Sequence, residues 1–254
     1  MAVSGRWLGA VRGAVGFLTR LPVGYREGDW EAFRTTPAAF PIVGLVAGVL
    51  ASGPLLAVGT LAAPTVALGY LLSVYAVTGI HHLDGIADMG DALVVHGDRK
   101  RRREVLKDTT TGVGALLAVS VVVAALALGG LGLAGLSVRA AVAVAVSAEV
   151  GTKLGMAAMA CFGDAVTEGM GKGFTDGATP GSFLAPAAIA ATTVAVPQLS
   201  LGAIALCGAV LGVALPWYWA TRHLGGINGD VFGAANEIGR IAGVHLGVIA
   251  WTLS

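Results

Sequence analysis

The sequence predicts an all-α polytopic membrane protein, a single domain over residues 1–254, with about seven spans and an N-terminal interfacial helix. Three observations predict this class. The chain is 56% hydrophobic and 12% charged, against about 25% charged in a soluble domain. Its mean hydropathy is +0.80. Its apolar residues gather in stretches of about 17 to 25, each long enough to cross a hydrocarbon core about 30 Å thick.

Residues 7–22 mix apolar side chains with Arg12 and Arg20. About 12 interrupted apolar residues are too few to span, so this segment reads as a helix lying in the interface and not as a cleavable signal. Pro41, in Phe40-Pro41-Ile42-Val43-Gly44, suits the first turn of span one. The spans fall near 38–59, 61–80, 112–133, 135–159, 183–200, 201–220 and 238–254. Arg139 alone interrupts the region 112–159, while Glu149 and Lys153 lie inside it at i, i+4 and read as an ion pair within the bundle. Gly44-x-x-x-Gly48 is a close-packing pattern common in membrane helices.

Charge placement gives orientation. Of 16 Lys and Arg residues, only Arg139 falls in a segment assigned to the outside, whereas Arg99 to Arg103 form a basic block between spans two and three. The 81–111 side is therefore cytoplasmic. Seven spans and a cytoplasmic N-terminus bring the polar segments 81–111, 160–182 and 221–237 out on that same face. The net charge of +1 excludes the basic field of a nucleic-acid binder, and the basic block reads as a topology anchor, with an anionic substrate as its alternative. Cys161 and Cys207 sit in or beside apolar segments and read as small buried residues.

Chemistry concentrates in His81-His82-Leu83-Asp84-Gly85-Ile86-Ala87-Asp88-Met89-Gly90-Asp91. At about 100° per residue, His81, Asp84, Asp88 and Asp91 fall within one helical arc of roughly 80°. Such carboxylates repel one another, and at a membrane edge they are functional by default, in preference to a solvated helix end. Hard oxygen ligands select Mg²⁺ or Mn²⁺, and Mg²⁺ normally takes one or two carboxylates plus waters and substrate phosphates. A phosphate-bearing substrate is implied.

The remaining polar segments each have a bland and a functional reading. Lys107-Asp108-Thr109-Thr110-Thr111-Gly112 is either a helix cap made by Asp108 or a threonine, or a phosphate site at a helix N-terminus. Gly171-Lys172-Gly173 is a weak phosphate signal that does not match a P-loop. Asn228 and Asp230 suit a helix cap, which leaves Glu237, seven residues on, unexplained as it enters an apolar span.

These residues resemble the cobalamin synthases, the adenosylcobinamide-GDP ribazoletransferases. The likeness runs from Phe17-Leu18-Thr19-Arg20-Leu21-Pro22 and Phe40-Pro41-Ile42-Val43-Gly44, through His82-Leu83-Asp84-Gly85-Ile86-Ala87-Asp88 and Lys107-Asp108, to Gly229-Asp230-Val231-Phe232-Gly233-Ala234 and Glu237. It departs at Thr110 and around Glu149, where the family pattern leads us to expect arginine. The resemblance implies a Mg²⁺-dependent transfer at a cytoplasm-facing site in the cell membrane. The ribose hydroxyl of α-ribazole or its 5′-phosphate attacks the cobinamide-linked phosphorus of adenosylcobinamide-GDP, GMP leaves, and adenosylcobalamin or its 5′-phosphate forms. Expected metal ligands are Asp84, Asp88, Asp91 and Asp230; Asp108 joins the catalytic set, with His81 or His82 as base. Lys107, Lys172, Asn228, Asp230 and Glu237 are expected to bind substrate. Membrane lipid is the other partner, nucleic acid is not one, and a homo-oligomer is left open. The competing readings are a CDP-alcohol phosphotransferase, which lacks its expected Ala-Arg pair after Asp88, and a cation-coupled transporter, against which the acids lie at span ends.

Overall fold

Small residues decide how the apolar segments meet. The computed structural model describes residues 3–24, 26–193 and 199–254, and its regular elements are all helical: α1 (Val3–Leu18), α2 (Asp29–Arg34), α3 (Ala39–Ala51), α4 (Ala63–Thr78), α5 (His81–Val94), α6 (Arg99–Val105), α7 (Val113–Ala134), α8 (Val138–Phe162), α9 (Met170–Gly177), α10 (Leu184–Thr193), α11 (Leu199–His223) and α12 (Gly229–Thr252). Helix α8 is the central post, packed by α3, α11 and α12. The Gly44-x-x-x-Gly48 pattern forms the α3–α8 contact, where a Cβ on Gly44 would stand 2.8 Å from the Glu149 carbonyl oxygen and one on Gly48 2.9 Å from the Val146 Cα.

Four helical stretches are long and apolar enough to cross a membrane: Ala39–Ala57, Val113–Ala134, Val138–Phe162 and Ser200–His223. Ala63–Thr78 and His81–Val94 make a fifth only when the pair, bent by 97°, is taken together. The expected span at 183–200 begins as α10, but residues 194–198 lie outside the described ones. The expected span at 238–254 is the later part of α12, which carries Asp230, Glu237 and Arg240. Large apolar side chains cover the outer faces, among them Leu72, Leu116, Leu128, Leu211 and Leu215. A solvent that accepts such a surface is hydrocarbon, and this is a membrane protein. Cys161 and Cys207 are both free, the first buried and the second exposed on α11.

Two glycines position the site. Gly79 ends α4 at φ +73°, a left-handed conformation that L side chains rarely adopt. The chain bends by 97° there, and α5 packs against the starts of α7 and α12. Gly85 then lets α5 touch α12, because a Cβ there would lie 2.5 Å from the Asp230 carbonyl oxygen and 3.1 Å from the Ala234 nitrogen. Gly85→Ala is expected to lower stability by about 1–3 kcal/mol through overpacking and to reduce activity with it. Gly53→Ala, where a Cβ meets nothing within 4 Å, is the control in the same thermal melt.

Candidate active site

Three polar segments meet at one end of the bundle. Segment 160–182 joins segment 221–237 through a short parallel bridge, with the Val166 amide donating to the Ile227 carbonyl (3.0 Å) and the Ile227 amide to Asp164 (2.8 Å). Gly171 of α9 seats on the Asn228 backbone. Segment 81–111 is tied to the same place by its basic block: Arg103 Nε donates to the Leu224 carbonyl at 2.7 Å and Arg99 Nε to Arg222 at 3.3 Å. Cations thus meet the free carbonyls that end α11. The basic block, which forms helix α6, is a latch within the protein.

A cavity of about 430 Å³ opens between α5, α9, α12 and the end of α1, with His81, His82, Asp84, Asp230, Phe17 and Phe174 in its wall. Rings from Phe17, Trp30, Phe33, Phe40, Phe174 and Phe232 pack on one another at centroid distances from 5.0 to 6.2 Å, and Phe17, Phe174 and Phe232 of this cluster line the cavity. Behind them Asp29, 2% exposed, accepts two hydrogen bonds from Arg12 and one from the Arg26 amide, which fixes α2 against α1. The Arg12 guanidinium holds the Asp29 carboxyl below its usual range.

Helix α5 forms as its spacing predicts, and Asp84, Asp88 and Asp91 share its anionic face. Burial, then the charges of Asp230, Asp84 and Asp91, push the Asp88 carboxyl up to about 6. Among the described residues no Lys, Arg or His pairs with Asp84, Asp88 or Asp230; Asp230 receives only the Asn228 amide, at 2.7 Å. Also among them, no three His, Cys, Asp or Glu side chains stand at metal-ligand spacing. The group is unneutralised and oxygen-rich, the donor chemistry that hard divalent cations take, without the spacing of a complete metal site among the described residues.

Other expected residues sit differently. Asp91 accepts the Gly112 amide (2.8 Å) and the Ala115 amide (2.9 Å), capping α7 with both oxygens. That cap was expected from Asp108 or a threonine; Asp108 instead accepts the Thr110 amide and hydroxyl in an exposed turn, which lowers its pKa. Lys107 and Asp108 are exposed and outside the cavity wall, and Lys172 pairs with Glu168 at 2.5 Å on the surface. Asn228 caps α12 by accepting the Val231 amide at 3.1 Å. Glu237 is fully buried and is not part of the cavity wall. Its Oε1 accepts from Arg240 Nη1 at 2.7 Å, so its counter-charge is an arginine one turn along its own helix.

That pairing belongs to a buried group the sequence reading caught only in part. The expected Glu149–Lys153 pair stands at 3.5 Å. Arg240 joins it by donating to Glu149, Lys153 donates to Asn236, and Asn236 Nδ2 lies 3.0 Å from His82 Nδ1. Lys153, Asn236, Glu237 and Arg240 are all 0% exposed. The i, i+3 spacing of Glu237 and Arg240 was the available signal; the link to Glu149, 91 residues away, had none.

Comparison with known proteins gives concordant results. A family model described as cobalamin-5-phosphate synthase matches residues 10–248. Curated relatives named adenosylcobinamide-GDP ribazoletransferase include one from Halorubrum lacusprofundi, 47% identical over 96% of this chain and 98% of its own. Others are from Haloquadratum walsbyi, 42% identical over 97% and 99%, and Halobacterium salinarum, 54% identical over 74% and 96%. No solved structure matches.

Proposed function

The chain belongs to the cobalamin-5-phosphate synthase family, and from that premise we propose that it transfers the adenosylcobinamide-phosphate group of adenosylcobinamide-GDP to α-ribazole or its 5′-phosphate, with release of GMP. The single observation that carries the reading at the level of the site is the meeting of Asp84 and Asp230 across one cavity without a cationic partner. Asp84, Asp88 and Asp230 would hold Mg²⁺. When bound, the ion neutralises charge on the reacting phosphates and on the departing one. Asp91 is left out of that set because α7 takes both its oxygens.

The other residues have separate work. Phe17, 38% exposed at the cavity wall, offers a ring on which a heteroaromatic base stacks, with Phe174 buried behind it. His81, exposed at the cavity wall, takes the proton of the attacking ribose hydroxyl. Gly85 holds α5 and α12 at the one separation that lets Asp84 and Asp230 face the same ligand. Membranes containing the protein, given adenosylcobinamide-GDP, α-ribazole and Mg²⁺, are expected to release GMP and yield a complete corrinoid; no product with any divalent metal overturns the reading.

The same reading takes the whole chain as one membrane domain with seven crossings, α1 at the interface, lipid on the leucine faces and the site on the cytoplasmic side of the cell membrane. The shared end of the three polar segments and the basic block beside it support this. Thiol labels introduced at residues 97 and 173 are then expected to react only from the cytoplasmic side, and one near residue 60 only from outside. Opposite accessibility of 97 and 173 would refute the arrangement.

A further inference from the structure

Asn236 has one acceptor and two amide protons to place. Its Oδ1 accepts from Lys153 Nζ, which is a donor only. Its Nδ2 donates to Glu237 Oε1 at 3.1 Å, an acceptor already held by Arg240 Nη1. Turning the amide over would set its NH₂ against an ammonium and its oxygen against a carboxylate, so the two charged neighbours fix which way it faces. The second Nδ2 proton is thereby directed at His82 Nδ1, 3.0 Å away. Glu237 Oε1 is 3.9 Å from that nitrogen, too far to accept a hydrogen bond from it. Nδ1 must present a lone pair, and the ring proton must sit on Nε2. Nε2 has no hydrogen-bond partner among the described residues, and the imidazole lines the cavity beside Asp84 and Asp230.

We propose that Lys153 and Glu237 act through Asn236 to hold His82 as the Nε2–H tautomer, which donates a hydrogen bond to a phosphoryl oxygen of the substrate. His82 is then a donor to the transferred group and not the base, and Asn236 is a positioning residue. The proposal rests on the phosphoryl-transfer reading above. It needs no movement of the fold, since the donor is aimed before substrate arrives; preorganised donors of this kind are worth about 10²–10³ in rate.

The test uses full-length protein in membranes, ring-¹⁵N-labelled at histidine, with His82→Gln identifying the His82 signals by their loss. An unprotonated Nδ1 with a protonated Nε2 is the expected spectrum; a protonated Nδ1 overturns the proposal. In the GMP-release assay the Gln amide can still donate from near the Nε2 position, so His82→Gln is expected to keep turnover within about tenfold of wild type. His82→Phe should lose about 10²–10³. Gln as inactive as Phe would make His82 a base and refute the donor role. Asn236→Ala should lower kcat by about 10- to 100-fold with KM little changed, as for other lost orienting partners, and should split the His82 signals between tautomers; an unchanged single tautomer removes Asn236 from the argument. If Asn236→Ala does not fold, the wild-type spectrum and the Gln–Phe comparison still decide. The spectrum requires no turnover, so a wild-type protein that releases no GMP from any substrate yet shows the Nε2–H tautomer would sink the proposed reaction and leave the geometry standing.

Discussion

Asp84→Asn and Asp88→Asn are each expected to lower GMP release by about 10³-fold while leaving the protein inserted and folded. The amide keeps the size of each side chain but removes the charge that a divalent ion and its phosphates require. The same change relieves repulsion in the metal-free protein. With its pKa raised to about 6 from 3.8, Asp88 binds its proton more tightly in the folded chain than in the unfolded one. Its contribution to stability is whole below about pH 3.8 and is lost as pH rises through about 6. At pH 7, without metal, Asp88→Asn should therefore stabilise the fold by about 1 kcal/mol, after discounting for a half-exposed group. Added Mg²⁺ should raise the melting temperature of the wild type more than that of the variant. Thermal unfolding with and without Mg²⁺, beside the GMP assay, checks both halves; wild-type turnover in either variant would remove this face of α5 from the chemistry.

Arg240→Leu carries the largest expected loss of stability, about 3–5 kcal/mol, because it strands buried carboxylates without their cation. Arg240 is 0% exposed and donates to both Glu149 and Glu237. Against a typical total of about 5–15 kcal/mol, the loss should show as poor accumulation in the membrane and a sharply lower melting temperature in detergent. Arg240→Lys keeps the charge but lacks the fork that reaches two carboxylates at once, so it should fall between. A melting temperature for Arg240→Leu within a degree or two of wild type would mean that these carboxylates are not relying on it.

What the sequence disclosed follows from range. Helix α5 and its anionic face were legible because the spacing of Asp84, Asp88 and Asp91 is a local property of one helix, as is the i, i+4 relation of Glu149 and Lys153. The packing role of Gly44 and Gly48 was legible as a pattern, though not its partner helix. The cap of α7 went to the wrong residue because Asp91 reaches across 21 residues to Gly112, and nothing local distinguishes that from the nearer Asp108. Glu237 was legible as a carboxylate in need of company; its company, Arg240 and Asn236, was in plain view but looked like ordinary members of an apolar span. The aromatic cluster was invisible because its rings come from α1, α2, α3, α9 and α12, brought together only by the fold. Apolar length alone counts the later part of α12 as a span, but it does not reveal that Glu237 and Arg240 near its start neutralise each other inside the bundle.

The buried charges also bear on how the chain enters the bilayer. Glu149 and Lys153 lie one turn apart on α8, and Glu237 and Arg240 one turn apart on α12. Each helix thus brings its interior charges as a self-cancelling pair and can be threaded into lipid as an electrically neutral segment before its neighbour arrives, at far lower penalty than a lone ion. The cross-helix bond from Arg240 to Glu149 forms only once α12, which follows α8 in the chain, docks on it. His82 acquires its orienting partner at that same moment. The order of synthesis thereby leaves the cavity between α5 and α12 unformed until α12 has followed α5 and α8, and a chain truncated before α12 would lack Asp230 and Asn236 altogether.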